Sequence, residues 1–329
     1  MEYRKLMETG IEISPIVLGT WALGGGYTWG DQDNEESIRT VHSALDGGIT
    51  TFDTAEFYGE GRSEEILGKA LDGRRSGTVI CSKVWTANMG REGVVKACEG
   101  SLKRLGTDYL DFYMIHWPNR EIELTETLEA MLKLKSSGKV RAIGVCNFGV
   151  QDLSDALRVT DIAVNQLPYS LLFRAVEYKV LPKCVESGVP VMAYSSLAQG
   201  LLTGKFASPA DVDDERARIR FYSKGRPGTV HAEEGYEDLV FKTLGTIKSL
   251  SSDRGISMSH AAVNWVLSKP GVLCVLVGAR KPEQIEDNIS CLNCTIDDEL
   301  VKKLDKATGA LQEAMGPNPD MWRTESRFR

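Results

Sequence analysis

Residues 50–59 read Thr-Thr-Phe-Asp-Thr-Ala-Glu-Phe-Tyr-Gly, and this stretch is the key to the fold. Its β-branched and apolar start predicts a buried strand that ends at Asp53. A carboxylate at the end of a buried strand is costly unless it meets a partner. Tyr58 follows after a turn, and Gly59 and Gly61 allow the backbone to fold back, so the phenol can reach the same space. One strand end therefore supplies an acid and a phenol to one pocket.

Two later strands end in groups that can complete this pocket. Residues 79–83 predict a strand that ends in Lys83, and residues 110–116 predict one that ends in His116. In a parallel barrel, the carboxyl ends of all strands open on one face, and active sites form there. We therefore expect an ammonium and an imidazole to join the carboxylate and the phenol.

Eight strand-then-helix units follow one another along the chain and predict an α/β fold, the (β/α)8 TIM barrel. The strands are expected at residues 16–21, 50–53, 79–83, 110–116, 140–147, 162–166, 189–195 and 272–278. The helices are expected near residues 34–45, 63–71, 91–105, 124–134, 150–157, 175–186, 237–250, 257–267 and 282–289. Asn34 is expected to cap the first helix. We predict that residues 1–329 form a single barrel domain.

Four segments depart from this alternation, one of them an extra helix pair over residues 237–250 and 257–267 before the eighth strand. Residues 2–13 predict a hairpin around Glu8, Thr9 and Gly10 that covers the bottom of the barrel. Residues 197–235 form a long, partly basic loop after the seventh strand, and long loops of this kind often carry binding function. The tail from Gly316 is expected to close over the pocket, with disorder as the alternative.

Composition excludes several classes of function. The net charge of −7 gives no reason to expect a nucleic acid or an anionic membrane as a partner. The start of the chain shows no signal peptide, and no apolar run is long enough to span a bilayer. The seven cysteines are expected to be buried and reduced, which favours the cytoplasm. Cys291 and Cys294 share a C-x-x-C spacing that suggests a redox or zinc site, but no second pair and no thioredoxin-like βαβ context support it, so structural cysteines are expected. The four histidines share no metal motif.

Seven motifs in this order resemble the aldo-keto reductase superfamily over essentially the whole chain. They are FDTAEFYGEGRSE (52–64), SKV (82–84), DFYMIHWP (111–118), VCNF (145–148), NQLPYS (165–170), YSSLAQGLLTGK (194–205) and GARKPEQIEDN (278–288). The sequence looks most similar to a bacterial branch that includes the inositol-operon oxidoreductase and general stress reductases.

The resemblance implies a catalytic tetrad of Asp53, Tyr58, Lys83 and His116. A tyrosine with an ordinary pKa of about 10 is protonated at neutral pH, so Tyr58 can give its proton to a carbonyl oxygen. We expect Lys83 to lower the pKa of Tyr58, Asp53 to hold Lys83 in place, and His116 to orient the carbonyl. Taken singly, these residues have plainer interpretations, namely a helix cap, a turn aromatic, a surface charge and a core histidine.

No side chain donates hydride, so a cofactor is expected, and the chain lacks the GxGxxG of a Rossmann fold. The resemblance implies NADP(H), with NAD(H) possible. The positions that it assigns to the cofactor are Thr20, Trp21, Asp53, Asn147, Gln166, Tyr194, Ser195, Leu197, Gln199, Gly200, Lys205, Gly278, Arg280, Gln284, Asp287 and Asn288. Lys205 and Arg280 could bind a 2′-phosphate. Cys146 replaces the serine usual in the family, and the Lys-Ser…Arg pattern after the last strand is absent.

Aromatic side chains near strand ends suit the apolar wall of a pocket, or the face of a sugar ring. Those expected to contact substrate are Trp21, Trp29, Phe57, Trp85 and Trp117. We therefore predict an NAD(P)-dependent reductase of an aldehyde, ketone, sugar or cyclitol. The alternatives are a dedicated sugar or inositol dehydrogenase, and a non-catalytic cofactor-binding regulatory subunit on the same fold. The sequence leaves the oligomeric state open.

Overall fold

The computed structural model describes residues 1–6, 9–26 and 28–329, and its centre is a closed barrel of eight parallel strands. The strands are β1 (Arg4–Leu6), β2 (Ile11–Ile13), β3 (Ile16–Gly19), β4 (Thr51–Asp53), β5 (Val79–Val84), β6 (Leu110–Ile115), β7 (Val140–Cys146), β8 (Asn165–Pro168), β9 (Val191–Tyr194) and β10 (Val272–Gly278). The barrel order is β10-β3-β4-β5-β6-β7-β8-β9, while β1 and β2 form a separate antiparallel pair. The predicted (β/α)8 fold is confirmed.

Helices surround the barrel and follow its strands. They are α1 (Asn34–Asp46), α2 (Arg62–Ala70), α3 (Arg91–Leu105), α4 (Leu124–Ser136), α5 (Val150–Leu157), α6 (Val180–Glu186), α7 (Glu237–Ser252), α8 (Met258–Leu267), α9 (Pro282–Ser290) and α10 (Asp298–Met315). Among the described residues, no helix combines the length and the apolar character needed to cross a membrane.

The period of two along each strand divides the core into an inner and an outer layer. Val17, Cys81, Phe112 and Met114 pack in a cluster inside the barrel, whereas their sequence neighbours face the helices. Both faces of the strands are buried, which explains why the strands lack an apolar-polar alternation. The same period brings every second residue to the inner face at the carboxyl ends of the strands.

The hairpin closes the amino-terminal end of the barrel, as predicted. Ile11 and Ile13 of β2 are buried in the inner cluster, and the side chain of Arg4 donates to the carbonyl oxygens of Val272 and Leu273 at 3.0 and 2.8 Å. The predicted turn at Glu8 lies outside the described residues. With this end filled by side chains, the opposite end of the barrel is left to hold a site.

Several predicted boundaries were wrong. Asp33, rather than Asn34, caps α1, because its carboxylate accepts from the backbone nitrogen of Glu36 at 2.8 Å. The sixth barrel strand runs over Asn165–Pro168, later than expected. The helix expected over 175–186 is a 3-10 turn followed by α6, with a break at Lys179, whose φ of −146° is not helical.

Helix α10 was missing from the prediction, although its sequence carries the ordinary signals. The side chain of Asp297 accepts from the backbone nitrogen of Leu300, and Leu300, Leu304, Leu311 and Met315 are buried at helical spacing. This helix leads directly into the 316–329 segment. The start of that segment is therefore fixed to the barrel wall.

The 316–329 segment is ordered, so the alternative of a disordered tail was wrong. Asp320 is fully buried, and its carboxylate accepts from both the Nε and an Nη of Arg327 at 2.7 and 2.9 Å. Arg220, from the loop after β9, is 3% exposed and donates to the carbonyl oxygens of Met315, Asn318 and Asp320. The Asp320–Arg327 pair thus stabilises the segment internally, and Arg220 ties the segment to the long loop.

Replacing Asp320 by asparagine keeps the size of the side chain but leaves Arg327 without its counter-charge. Since breaking a buried ion pair leaves the other charge uncompensated, we expect Asp320→Asn to lower the free energy of unfolding by about 3 kcal/mol. The measurements are chemical denaturation and limited proteolysis of the 316–329 segment. The control is Glu129→Gln, which breaks an exposed pair with Arg91 and should cost at most about 1 kcal/mol. Equal losses in the two variants would contradict the role given to Asp320.

Candidate active site

Four chemical groups meet at the carboxyl end of the barrel around the ammonium of Lys83. The Nζ of Lys83 donates to Oδ2 of Asp53 at 2.8 Å, to the carbonyl oxygen of Thr54 at 2.8 Å and to the hydroxyl of Tyr58 at 3.2 Å. The Lys83 side chain is completely buried. The rings of Tyr58 and His116 have their centroids 5.6 Å apart. The structure therefore brings the four predicted catalytic side chains together.

Strand periodicity and one tight turn explain this arrangement. Lys83 has the same parity as Cys81, which lies inside the barrel, and the register pairs Asp53 with Cys81 on the neighbouring strand. Tyr58 reaches the same space through a 3-10 turn in which Gly59 has a φ of +58°. A Cβ on Gly59 would lie 2.7 Å from the carbonyl oxygen of Gly24. Glycine is therefore required there on both steric and conformational grounds.

A polar network extends from Asp53 across the mouth of the barrel. Gln166 donates from Nε2 to Oδ1 of Asp53 at 2.7 Å, and the thiol of Cys146 donates to Oε1 of Gln166 at 3.5 Å. Asn147 donates from Nδ2 to the carbonyl oxygen of His116 at 3.0 Å and accepts the hydroxyl of Tyr194 at 2.9 Å. The carboxylate thus has a partner on each oxygen, as a buried charge requires.

The electrostatics of the site differ from the expectation for Tyr58. Burial raises the pKa of Tyr58 well above its ordinary value, and the opposing influence of Lys83 does not cancel this effect. Burial opposes the charge of Lys83, but Asp53 and Tyr58 outweigh it, so the pKa of Lys83 is raised. Burial, Lys83 and Arg327 together hold the pKa of His116 far below its ordinary value. The phenol and the imidazole are therefore neutral, and the amine is charged.

Aromatic rings wall the space above these groups. The ring centroid of Trp21 lies 5.9 Å from that of Tyr58 and 6.4 Å from that of Trp322. On the other side, Phe57 stacks on Trp85 at 3.8 Å, and Trp85 meets the ring of His116 edge-on at 5.2 Å. Phe57 is 51% exposed, so an aromatic surface faces the approach to the site.

Two of the predicted wall residues occupy different surroundings. Trp117 is only 7% exposed, because Phe328 packs against its ring and the guanidinium of Arg327 lies 3.3 Å from its centroid. Trp29 lies edge-on to Trp21 at 5.5 Å and carries the guanidinium of Arg216 at 5.6 Å from its ring. Trp117 thus supports the 316–329 segment, while Trp29 links the wall to the long loop.

Cations gather on the loops beside the aromatic wall. Burial lowers the pKa of Lys205, and the positive charges of Arg216 and Arg280 lower it as well. A Cβ on Gly200 would lie 3.2 Å from the Nζ of Lys205, so the amine lies directly over the glycine. Among the buried polar atoms of the described residues that have no hydrogen-bond partner are three donors on these loops, namely Nε1 of Trp29, Nε2 of Gln199 and Nε of Arg216. Positive charge with unused donors suits an anionic ligand.

Sequence similarity to known proteins identifies the family of this chain. The model of the aldo/keto reductase family matches residues 15–308. The chain belongs to the aldo/keto reductase family. It is similar to the aldo-keto reductase YhdN of Bacillus subtilis (strain 168), at 37% identity over 96% of this chain and 97% of that protein. The predicted superfamily is confirmed, and the membership supports an oxidoreductase.

A second relative and a solved structure bear on the cofactor. The chain is 33% identical to the NADH-specific methylglyoxal reductase of Escherichia coli (strain K12), over 88% of this chain and 93% of that protein. A crystal structure of an aldo-keto reductase from Klebsiella pneumoniae in complex with NADPH has a TM-score of 0.74 and 30% identity, covering 100% of this chain and 99% of that one. Both nicotinamide cofactors are therefore represented among the similar proteins.

The other predicted cofactor positions of this aldo/keto reductase are partly engaged within the protein. The Oε1 of Gln284 accepts from the backbone nitrogens of Arg280 and Lys281 and so caps α9. The Arg280 side chain donates to Gln32, and the hydroxyl of Thr20 donates to the carbonyl oxygen of Asp53. The roles predicted for Ser195, Leu197, Gly278 and Asn288 stay predictions.

Sequence reasoning missed one residue that shapes the aldo/keto reductase site. The Oε1 of Glu56 accepts from the backbone nitrogen of Trp85 at 2.6 Å and from Nδ2 of Asn88 at 3.0 Å, which fixes the backbone that carries Trp85. The sequence signal for this role was the position of Glu56 directly before the aromatic residues Phe57 and Tyr58. The described residues contain no cluster of His, Cys, Asp or Glu suited to a metal ion.

Nuclear magnetic resonance can test the protonation of the site. Because the pKa of His116 is lowered, its ring should still be neutral at a pH of about 6.5, where an unperturbed imidazole is half protonated. Arg327→Met removes one of the positive charges and should move the pKa of His116 back towards the ordinary value. Arg158→Met, at an exposed position, should leave it unchanged. An ordinary titration of His116 in the parent protein would refute the described electrostatics.

Proposed function

We propose that this aldo/keto reductase interconverts a carbonyl and an alcohol by hydride exchange with NADP(H), and that Tyr58 is its general acid and base. The observation that carries the proposal is the buried Lys83 ammonium, which joins Asp53 to Tyr58 beneath an aromatic wall. A neutral phenol next to a fixed cation can release a proton to an oxygen that gains negative charge. The alternative of isolated structural roles requires four such groups to meet by coincidence.

The protonation states of the four side chains determine the role proposed for each. The cofactor supplies or accepts the hydride. Tyr58 gives its proton to the carbonyl oxygen in reduction and takes it back in oxidation, while Lys83 stabilises the phenolate. His116 is neutral, so it can donate one hydrogen bond to the same oxygen without competing as an acid. Asp53 keeps Lys83 charged and in position.

The residues around the loop after β9 fit a dinucleotide. Gln199 and Gly200 have φ values of +54° and +97°, a backbone conformation that leaves the turn open beside Lys205. The unpartnered donors of Trp29, Gln199 and Arg216 supply hydrogen bonds that phosphate oxygens can accept. Asn147, Gln166 and Tyr194 are the groups proposed to face the nicotinamide.

NADP(H) is the proposed preference because two arginines, Arg216 and Arg280, act on Lys205 against one carboxylate, Asp213. Lys205 and Arg280 remain the groups proposed for the 2′-phosphate. NAD(H) stays possible, since one relative is named an NADH-specific reductase. The proposal also includes a cytoplasmic location and one barrel domain over residues 1–329.

The substrate proposed is a small carbonyl compound or polyol. The walls formed by Trp21, Phe57, Trp85 and Trp322 suit an apolar chain or the apolar face of a sugar or cyclitol. A dedicated sugar or inositol dehydrogenase would use the same groups in the oxidative direction. A non-catalytic regulatory subunit would bind the cofactor without turnover.

Tyr58→Phe tests the catalytic proposal. Loss of the hydroxyl should lower the kcat for NADPH-dependent reduction of a generic aldehyde by about a thousandfold, since general acid catalysis is worth about two to four powers of ten. The Kd for NADPH, measured by quenching of protein fluorescence, should change little. Tyr178→Phe, at an exposed site on the barrel wall, is the matched control. Retained turnover in Tyr58→Phe would exclude the proton-donor role, and no turnover in the parent would favour the regulatory subunit.

Lys205→Gln and Arg280→Gln test the cofactor preference. Each should weaken NADPH binding by about tenfold while NADH binding changes less, because a charged hydrogen bond to a 2′-phosphate is worth about 1.5–3 kcal/mol. Titration of both nucleotides into each variant measures the ratio. Arg158→Gln removes an exposed arginine just after α5 and should leave the ratio unchanged. A ratio near one in the parent protein would remove the role proposed for Arg280.

A further inference from the structure

A second cluster of reactive side chains lies outside the barrel mouth, where α9 ends beside α8. It consists of Cys294, His260, Asp287 and Ser290. The thiol of Cys294 lies 3.5 Å from Nδ1 of His260, and Nε2 of His260 lies 3.2 Å from Oδ1 of Asp287 and 3.2 Å from the hydroxyl oxygen of Ser290. Cysteine, imidazole and carboxylate are thus arranged in line, as in sites that activate a thiol.

The neighbouring hydrogen bonds determine which nitrogen of His260 carries the proton. Ser290 uses its hydroxyl proton to donate to the carbonyl oxygen of Asp287 at 2.8 Å, so its oxygen is left as an acceptor. The carboxylate of Asp287 is also an acceptor. Both contacts at Nε2 therefore require Nε2 to carry the hydrogen, which leaves Nδ1 with a lone pair directed at the thiol of Cys294. The imidazole is in the tautomer that can take the thiol proton.

The scaffold holds this arrangement in place on the side of α8. Nδ2 of Asn264 donates both to the carbonyl oxygen of His260 at 3.0 Å and to that of Cys291 at 2.7 Å. The backbone nitrogen of Cys294 donates to the carbonyl oxygen of Cys291 at 3.1 Å. The base and the thiol are therefore linked through one asparagine and one turn.

Exposure separates Cys294 from the other thiols of the described chain. All seven cysteines are free, six of them are buried, and Cys294 alone among them is partly exposed. The Asp287 side chain is 61% exposed, so the cluster is open to solvent on that side. Cys294 is therefore the cysteine of the described chain best placed to meet a small electrophile.

We propose that Cys294 is a modification site, at which His260 activates the thiol toward small-molecule disulfides. His260 takes the proton of Cys294, and the thiolate attacks one sulfur of the disulfide. A new sulfur–sulfur bond forms as the bond within the reagent breaks, and the departing thiolate receives the proton from His260. The products are a mixed disulfide on Cys294 and one free small thiol, with no other oxidant required.

We expect modification of Cys294 to weaken cofactor binding through α9. Asp287 both accepts from His260 and is one of the positions that the family resemblance assigns to the cofactor, so this step rests on the proposed function. A group attached to Cys294 displaces the imidazole from Asp287 and crowds the last turn of α9. The modified protein should therefore bind NADP(H) about tenfold more weakly, equivalent to about 1.4 kcal/mol.

The first experiment measures thiol reactivity alone, without any cofactor. The folded full chain is treated with dithiodipyridine, and release of thiopyridone is followed by absorbance. We expect one rapidly reacting thiol per chain, none in Cys294→Ser, and a rate lowered by about tenfold or more in His260→Gln, since the thiolate is the nucleophile. His42→Gln, a half-buried histidine on α1, is the matched control and should react at the parent rate. Equal rates in the parent and His260→Gln would overturn the proposal, as would rapid release from Cys294→Ser.

The second experiment separates this proposal from the proposed function. Circular dichroism and denaturation verify that Cys294→Ser and His260→Gln are folded, and the Kd for NADPH is then measured before and after treatment with the disulfide. The parent should lose about tenfold in affinity and regain it with a reducing agent, whereas Cys294→Ser should not respond. An unchanged Kd in fully modified protein would overturn the link to the cofactor. A chain that binds no nucleotide at all would refute the proposed function but leave the reactivity of Cys294 intact.

Discussion

The ion pair between Lys83 and Asp53 is the constraint on which the site depends. Both side chains are almost entirely buried, so each would be expensive without the other. Their remaining hydrogen-bonding capacity is filled by Gln166, by the carbonyl oxygen of Thr54 and by the hydroxyl of Tyr58. Removing one partner would leave a bare charge in the barrel, so the arrangement can exist only if the strands β4 and β5 keep their register. Fold and chemistry are therefore fixed by the same contacts.

The ammonium also decides what its neighbours can do. The charge of Lys83 only partly offsets the rise that burial causes in the pKa of Tyr58, and it adds to the fall that burial causes in the pKa of His116. The phenol and the imidazole therefore remain neutral beside a permanent cation. A neutral phenol can donate its proton only when an oxygen nearby gains negative charge, which is the circumstance of carbonyl reduction. The barrel thus holds the positive charge of Lys83 next to the phenol that would release its proton, and the aromatic wall keeps the surroundings apolar.

The barrel and the positions of the four groups could be predicted because both follow from short-range rules. Strand periodicity of two places Asp53, Lys83 and His116 on the inner face, and a glycine turn delivers Tyr58. The direction in which the pKa of Tyr58 moves could not be predicted, because it depends on how deeply the assembled structure buries the phenol. The cap of α1 was assigned one residue late because Asp33 and Asn34 are equally good caps in sequence. Lys205, Arg216 and Arg280 come together only through tertiary packing of two distant loops.

The 316–329 segment shows why a barrel rim is harder to predict than its strands. Its order depends on the buried pair of Asp320 and Arg327 within the segment and on Arg220, which reaches the segment from the loop after β9, and neither contact has a local sequence signal. Yet this segment brings Trp322 against Trp21 and places Arg327 where its charge lowers the pKa of His116. The imidazole thus responds to a residue more than two hundred positions away along the sequence. The protonation of the site is therefore a property of the assembled rim as well as of the strand that carries His116.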